Sequence, residues 1–132
     1  MEIKILLLIC MMFCHIINDY NLQGILASMK QKSWWEENGN DPLYKHDYIM
    51  ALFEHSFSWA FSIMIVPTLY LLHDGKFVIE EAVSVFLLFI LNTVLHFWID
   101  HTKANLHEIN LIQDQLLHFL QIIMTWCILV AL

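Results

Sequence analysis

The sequence contains no arginine, only three glycines, two prolines and three cysteines, and 14% of its 132 residues are charged. Each shortage removes a class of function. Without arginine and with a formal net charge of −7, the chain has no basic surface to neutralise phosphates and no guanidinium to read bases, which excludes nucleic-acid binding. Three glycines cannot build a Gly-rich phosphate loop. Cys10, Cys14 and Cys127 are odd in number, form no CxxC and lie in apolar runs, so they indicate neither a disulfide framework nor a thiolate zinc site. Soluble domains carry about 25% charge and about 45–50% apolar residues. This chain is 59% hydrophobic, which excludes a soluble domain.

What remains is long apolar runs. A membrane-spanning helix needs about 20 largely apolar residues at 1.5 Å rise each, so this length holds roughly four. The runs predict an all-α, polytopic integral-membrane four-helix bundle of up-down topology, one domain over residues 1–132, with helices at about 3–29, 48–72, 77–101 and 111–132. The start imitates a signal peptide, with Lys4 before an apolar stretch, but His15 and Asp19 follow where a small-x-small cleavage site would stand, so it reads as a retained first helix. Residues 30–47 are turn-rich and polar and read as a loop, with Trp34 and Trp35 suited to the headgroup level. His73, Asp74, Gly75 and Lys76 read as a tight turn. Lys30, Lys32, Lys45 and Lys103 lie in loops one and three, against Lys4 and Lys76 on the other side, which places those two loops in the cytoplasm.

The informative residues are those a membrane rejects. The first helix carries His15 and Asp19 at i, i+4, continued by Gln23; the third carries Asn92, His96 and Asp100 at the same spacing; the fourth carries Asp114 and His118 with Gln115 alongside. Side chains four apart share one helical face. The second helix adds His55, next to Glu54, with Ser58 and Ser62 continuing a polar edge. In an up-down bundle these positions fall toward one membrane face, one intramembrane His to each helix. Each Asp costs about 2.5–3.5 kcal/mol at the bilayer centre, so three cost on the order of 8–10 kcal/mol there and must face inward and be paired. His46, His73, His101 and His107 fall in predicted loops and read as solvated, and Glu80 and Glu81 mark the opposite boundary.

Imidazole and carboxylate are the ligands that zinc, iron and manganese prefer, and bundle-core metal sites are built from such residues on facing helices. Three readings stay open: a shared metal site, a hydrogen-bonded structural or proton-handling cluster, and unrelated interfacial residues. On the first, His15, Asp19, His55, His96, Asp100, Asp114 and His118 are the ligand candidates and zinc the expected ion, with Asp19, Asp100 and Asp114 as candidate general bases in a metal-dependent hydrolase acting on a lipid or lipid-linked substrate. The alternative is a non-enzymatic protein, either a proton or metal permeation unit, which four spans support only if protomers assemble into a homo-oligomer, or an interaction module of a phage or host-defence system.

At these residues the chain resembles a family of small bacterial and phage integral-membrane proteins known only as a domain of unknown function. The resemblance rests on H-x3-D-x3-Q from His15 to Gln23, on the segment from Leu52 to His55, on H-x3-D from His96 to Asp100, and on D-Q-x2-H from Asp114 to His118. It implies a multi-pass protein of the bacterial inner membrane with His and Asp as its signature, and it implies no activity.

Overall fold

The four apolar runs become four long helices. The computed structural model describes residues 2–39, 41–73, 75 and 78–131, and gives α1 (Glu2–Ile17), α2 (Leu26–Met29), α3 (Lys32–Asn38), α4 (Asp47–His73), α5 (Ile79–His101) and α6 (Leu111–Ala131). There is no strand among the described residues. Four segments are long and apolar enough to cross a membrane: Glu2–Leu22, Pro42–His73, Ile79–Leu106 and Leu111–Val130. The fold is that of an all-α membrane bundle.

Contacts fix the directions. Lys4 near the start of α1 bonds the carbonyl of Val130 near the end of α6, while His15 near the end of α1 meets Gln115 near the start of α6. His55 early in α4 meets His96 late in α5, and Asn92 meets both Met64 further along α4 and Thr125 late in α6. Each neighbour therefore runs antiparallel to the next. α4 packs on α1 and α5, and α6 packs on the same two, closing a square.

The outside of this square is apolar, with Phe13, Phe86, Leu116 and Met124 all exposed. Such a surface would aggregate in water but is what lipid tails solvate. The inside is divided along its length. One half is an ordinary core of Met11, Trp59, Ala60, Ile63, Met64, Leu88, Ile122 and Leu129. The half at the other end is filled with His and Asp.

Several expected boundaries shift for local reasons. The first helix stops at Ile17 rather than running to Met29: residues Asn18–Leu22 widen into a π-helical turn, the Gln23 side chain folds back onto the Asp19 carbonyl, and Gly24 then takes φ +50°, a left-handed conformation that glycine adopts without Cβ strain. A second π-helical turn, Thr102–Leu106, ends α5 and is closed by His107 at φ 57°. The polar stretch 30–47 is not all loop, since it forms α3 and a 3-10 turn, Pro42–Tyr44, capped by the Asp41 carboxylate accepting from Leu43 N–H at 2.9 Å. Trp34 and Trp35 pack edge to face on α3, and Trp35 donates to the Met29 carbonyl at 2.7 Å. Of the expected turn at 73–76, Asp74 and Lys76 lie outside the described residues, as does Phe77, the expected start of the third helix.

Candidate metal centre

Each long helix contributes a buried stripe at three- and four-residue spacing: Leu7, Met11 and His15 on α1; Leu52, His55, Trp59 and Ile63 on α4; Leu88, Asn92, His96 and Asp100 on α5; Asp114, His118, Ile122 and Thr125 on α6. The His and Asp members of these stripes lie at one end and converge. His15, His96, Asp114 and His118 are 0% exposed and His55 1%, so none of them is an interfacial side chain reaching for water. Asp19 joins them from the first π-helical turn.

At the middle of the cluster two imidazoles point at each other. The His55 and His96 ring centroids are 5.0 Å apart, yet their Nε2 atoms are only 3.2 Å apart, so both rings aim the same nitrogen at one point. Asp19 Oδ1 lies 3.4 Å from His55 Nε2 and 3.8 Å from His96 Nε2. Asp100 Oδ2 repeats those two distances from α5, at 3.4 and 3.8 Å. A tetrahedral zinc with bonds of about 2.0–2.1 Å separates its ligand atoms by about 3.3 Å. The His55, His96 and Asp19 donors match that spacing, and this buried group could hold a metal ion.

A second group, His96, Asp100 and His118, also lies within coordinating reach. Its geometry is poorer. The His96 and His118 rings stack at 4.2 Å with 28° between their planes, so their in-plane lone pairs run side by side instead of converging. His118 instead uses Nε2 on carboxylates, 3.3 Å from Asp100 Oδ1 and 3.5 Å from Asp114 Oδ1.

His15 stands apart from both groups. Trp59 donates its indole N–H to His15 Nδ1 at 2.8 Å, and tryptophan can only donate, so Nδ1 carries no proton. Nε2 therefore holds the proton of the neutral ring and donates it to Gln115 Oε1 at 3.1 Å. Both nitrogens are occupied. Gln115 in turn donates to Asp19 Oδ2 at 3.3 Å and Asp114 Oδ2 at 3.0 Å, so the His15 ring orients the glutamine that orients Asp19. Asp114 also lies outside both groups, behind His118.

Two lysines supply positive charge. Lys30 Nζ is 2.6 Å from Asp100 Oδ2, and Lys103 Nζ is 2.7 Å from Asp114 Oδ2. In the sequence these residues count only as markers of orientation, because nothing in their spacing shows that loop one folds back over the bundle end. It does so because Asn105, on the second π-helical turn, donates to the Lys30 carbonyl at 3.0 Å and accepts from Lys32 N–H at 2.6 Å. Trp59 is equally invisible in advance: it reads as one more apolar residue, yet its ring stacks on His96 at 4.2 Å and its N–H sets the His15 tautomer.

Other polar residues go elsewhere. Asn92, expected to extend the His96 and Asp100 face, forms a separate network deeper in the bundle, donating to Thr125 Oγ1 at 3.0 Å and accepting from Gln121 Nε2 at 2.8 Å. Ser58 and Ser62 accept from Asn18 Nδ2 at 3.0 and 2.9 Å and so tie α4 to the first π-helical turn. Gln23 is spent on the Asp19 carbonyl and does not reach the cluster. His46, His73 and His107 are exposed, whereas His101 closes α5 and stacks on Tyr48 at 6.1 Å.

No family model, curated protein or solved structure matches this chain. What its centre does is read from donor chemistry and geometry.

Proposed function

We propose that the chain is an integral-membrane metalloprotein that holds one divalent ion, zinc by its donor chemistry, on Asp19 Oδ1, His55 Nε2 and His96 Nε2. The observation that carries this is the 3.2, 3.4 and 3.8 Å triangle of these donors, brought from three different elements to the spacing of ligands around one ion. Asp19 Oδ1 adds to it: a buried carboxylate oxygen with no hydrogen-bond partner among the described residues, facing two imidazoles. Such an orphaned acceptor is costly unless a cation completes it.

The reaction class this donor set serves is hydrolysis, since a zinc held by two imidazoles and one carboxylate activates water at neutral pH. The substrate in this reading is a lipid or lipid-linked molecule. A groove of about 240 Å³ between α1 and α4, lined by Phe13, Cys14, Ile17, Leu22, Phe61 and Ser62, opens on the lipid side next to the turn that carries Asp19, and its apolar walls suit an acyl chain. The same proposal assigns the chain to the small bacterial and phage membrane family that its motifs resemble, in the bacterial inner membrane with loops one and three cytoplasmic.

Protein purified in mild detergent should contain one zinc per chain, and His55→Ala combined with His96→Ala should abolish it. Incubation of the zinc-loaded protein with bacterial polar lipid extract should release a product, seen by mass spectrometry, that the double variant does not make. Absence of stoichiometric metal from wild-type protein would overturn the reading.

One observation favours a second reading, a cluster that is structural or moves protons. Two of the three carboxylates already have an ammonium within 2.7 Å. On that reading the purified bundle is metal-free and equally stable with chelator. Its permeation version needs protomers to associate, so a monomer with no proton or metal flux in liposomes excludes it.

A further inference from the structure

The two carboxylates that face the His55 and His96 pair are not equivalent. Asp19 has one oxygen held by Gln115 Nε2 at 3.3 Å, while Oδ1 is buried, faces both imidazoles and has no hydrogen-bond partner among the described residues. Asp100 has both oxygens engaged: Oδ1 is 3.3 Å from His118 Nε2 and Oδ2 is 2.6 Å from Lys30 Nζ. Lys30 is itself held in place. Its side chain is only 12% exposed, and the Asn105 amide brackets its segment through the Lys30 carbonyl and the Lys32 N–H.

We infer that Lys30 is a positioning residue whose ammonium holds Asp100 off the ion, so that the protein supplies three ligands and leaves one coordination position open. The inference rests on the metal reading above and adds the role of the fourth donor. Four protein ligands make a closed, structural zinc site, whereas three make one that can take a water or a substrate atom. An ammonium on Oδ2 repels a divalent ion approaching that same oxygen, and the carboxylate is left beside the open position, where it can accept a proton from a group bound there. With Lys30 in place, Asp100 Oδ2 lies 3.4 and 3.8 Å from the two imidazole donors, as Asp19 Oδ1 does, so it is the ammonium and not distance that separates the two carboxylates, and removing it would leave Asp100 placed to become the fourth ligand.

The test is a double-mutant cycle on zinc affinity, measured in detergent by competition with a chromophoric chelator. In the wild-type background, Asp19→Asn should weaken zinc by more than about 100-fold, while Asp100→Asn, removing only a neighbour of the ion, should weaken it by about 10-fold. Lys30→Met should tighten zinc by about 10-fold or more, and in that background Asp100→Asn should cost about 100-fold, because Asp100 is now a ligand. Lys30→Arg should restore the wild-type pattern. An Asp100→Asn loss as large as that of Asp19→Asn in the wild-type background overturns the inference while leaving the metal centre standing. So does a Lys30→Met protein with unchanged affinity. Wild-type protein that binds no zinc overturns the metal reading and this inference together. Should Lys30→Met fail to fold, the comparison of Asp19→Asn with Asp100→Asn decides alone.

Discussion

His15 and His55 are equivalent in the sequence, each the single intramembrane histidine of its helix, but in the structure only His55 belongs to a group that could hold a metal ion. Replacing each with leucine, which is similar in size and cannot bond, separates the two. In His15→Leu the Trp59 indole N–H, wholly buried, loses the acceptor it has at 2.8 Å. A buried donor left unpaired costs about 1–3 kcal/mol, and the half-buried Gln115 loses a partner worth about 1 kcal/mol, so a total of about 2–4 kcal/mol is expected. Zinc affinity should change by no more than about 10-fold, since His15 lies behind Asp19, with Nδ1 3.6 Å from Asp19 Oδ2 and Nε2 acting on the same oxygen through Gln115, and is not a ligand. In His55→Leu one of three ligands is gone, which should weaken zinc by more than about 100-fold, or about 2.7 kcal/mol. Metal content by mass spectrometry and thermal unfolding with and without chelator, both in one detergent, read the two effects. Wild type and His15→Leu should lose stability on chelation, and His55→Leu should not respond. Equal zinc loss from the two variants would refute the assignment of His15's nitrogens to Trp59 and Gln115.

Lys103→Met leaves the fully buried Asp114 carboxylate without its ammonium, and unfolding followed by tryptophan fluorescence should show a loss near the lower end of ~3–5 kcal/mol, because Gln115 and His118 still face it. Asn105→Ala removes both bonds that hold residues 30 and 32 across the bundle end; at about 1 kcal/mol each, hydrogen exchange of this segment should quicken roughly 10- to 30-fold, with the amides of α5 unchanged. Asn92→Leu strands Gln121 and Thr125 deep in the bundle and should cost about 1–3 kcal/mol while leaving zinc content at the wild-type level. Zinc loss from that variant would mean that the deeper network and the centre are one unit.

The four spans and the bundle were legible because apolar runs of about 20 residues have few alternatives in so uncharged a chain. The convergence of His55, His96, Asp19 and Asp100 was legible in outline, because i, i+4 spacing puts side chains on one face and an up-down topology brings those faces to one end. What spacing cannot show is how each ring turns. His15 and His55 differ because Trp59, one turn beyond His55 on α4, reaches across to α1, and no periodicity distinguishes an indole that donates from one that merely packs. Nor does composition show that residues 30–32 fold back, since that depends on one asparagine side chain at the far end of α5. The end of α1 at Ile17 is hidden for the opposite reason: His15, Asp19 and Gln23 keep helical spacing across it, while the backbone widens into a π-helical turn and reverses at Gly24.

Charge balance links the centre to its proposed reaction. Before any imidazole takes a proton, Asp19, Asp100 and Asp114 bring three negative charges and Lys30 and Lys103 two positive ones, all at the same end of the bundle. One negative unit is left over, and its burial is unfavourable in proportion to how dry the site is. A single protonated histidine would neutralise it, which is the state the structural reading requires. A divalent ion overshoots by one positive unit, and at an effective dielectric of about 20 a unit charge 4 Å away is worth about 4 kcal/mol, enough to govern what binds next. On the proposed reading, a centre in which only Asp19, His55 and His96 are ligands would leave room for an anionic group to meet that excess, such as a phosphate or carboxylate oxygen of a substrate. A four-ligand site has no position for it. If the centre holds a divalent ion as proposed, the residual charge would favour the open centre over the closed one and make a lipid with an anionic headgroup the substrate class to try first.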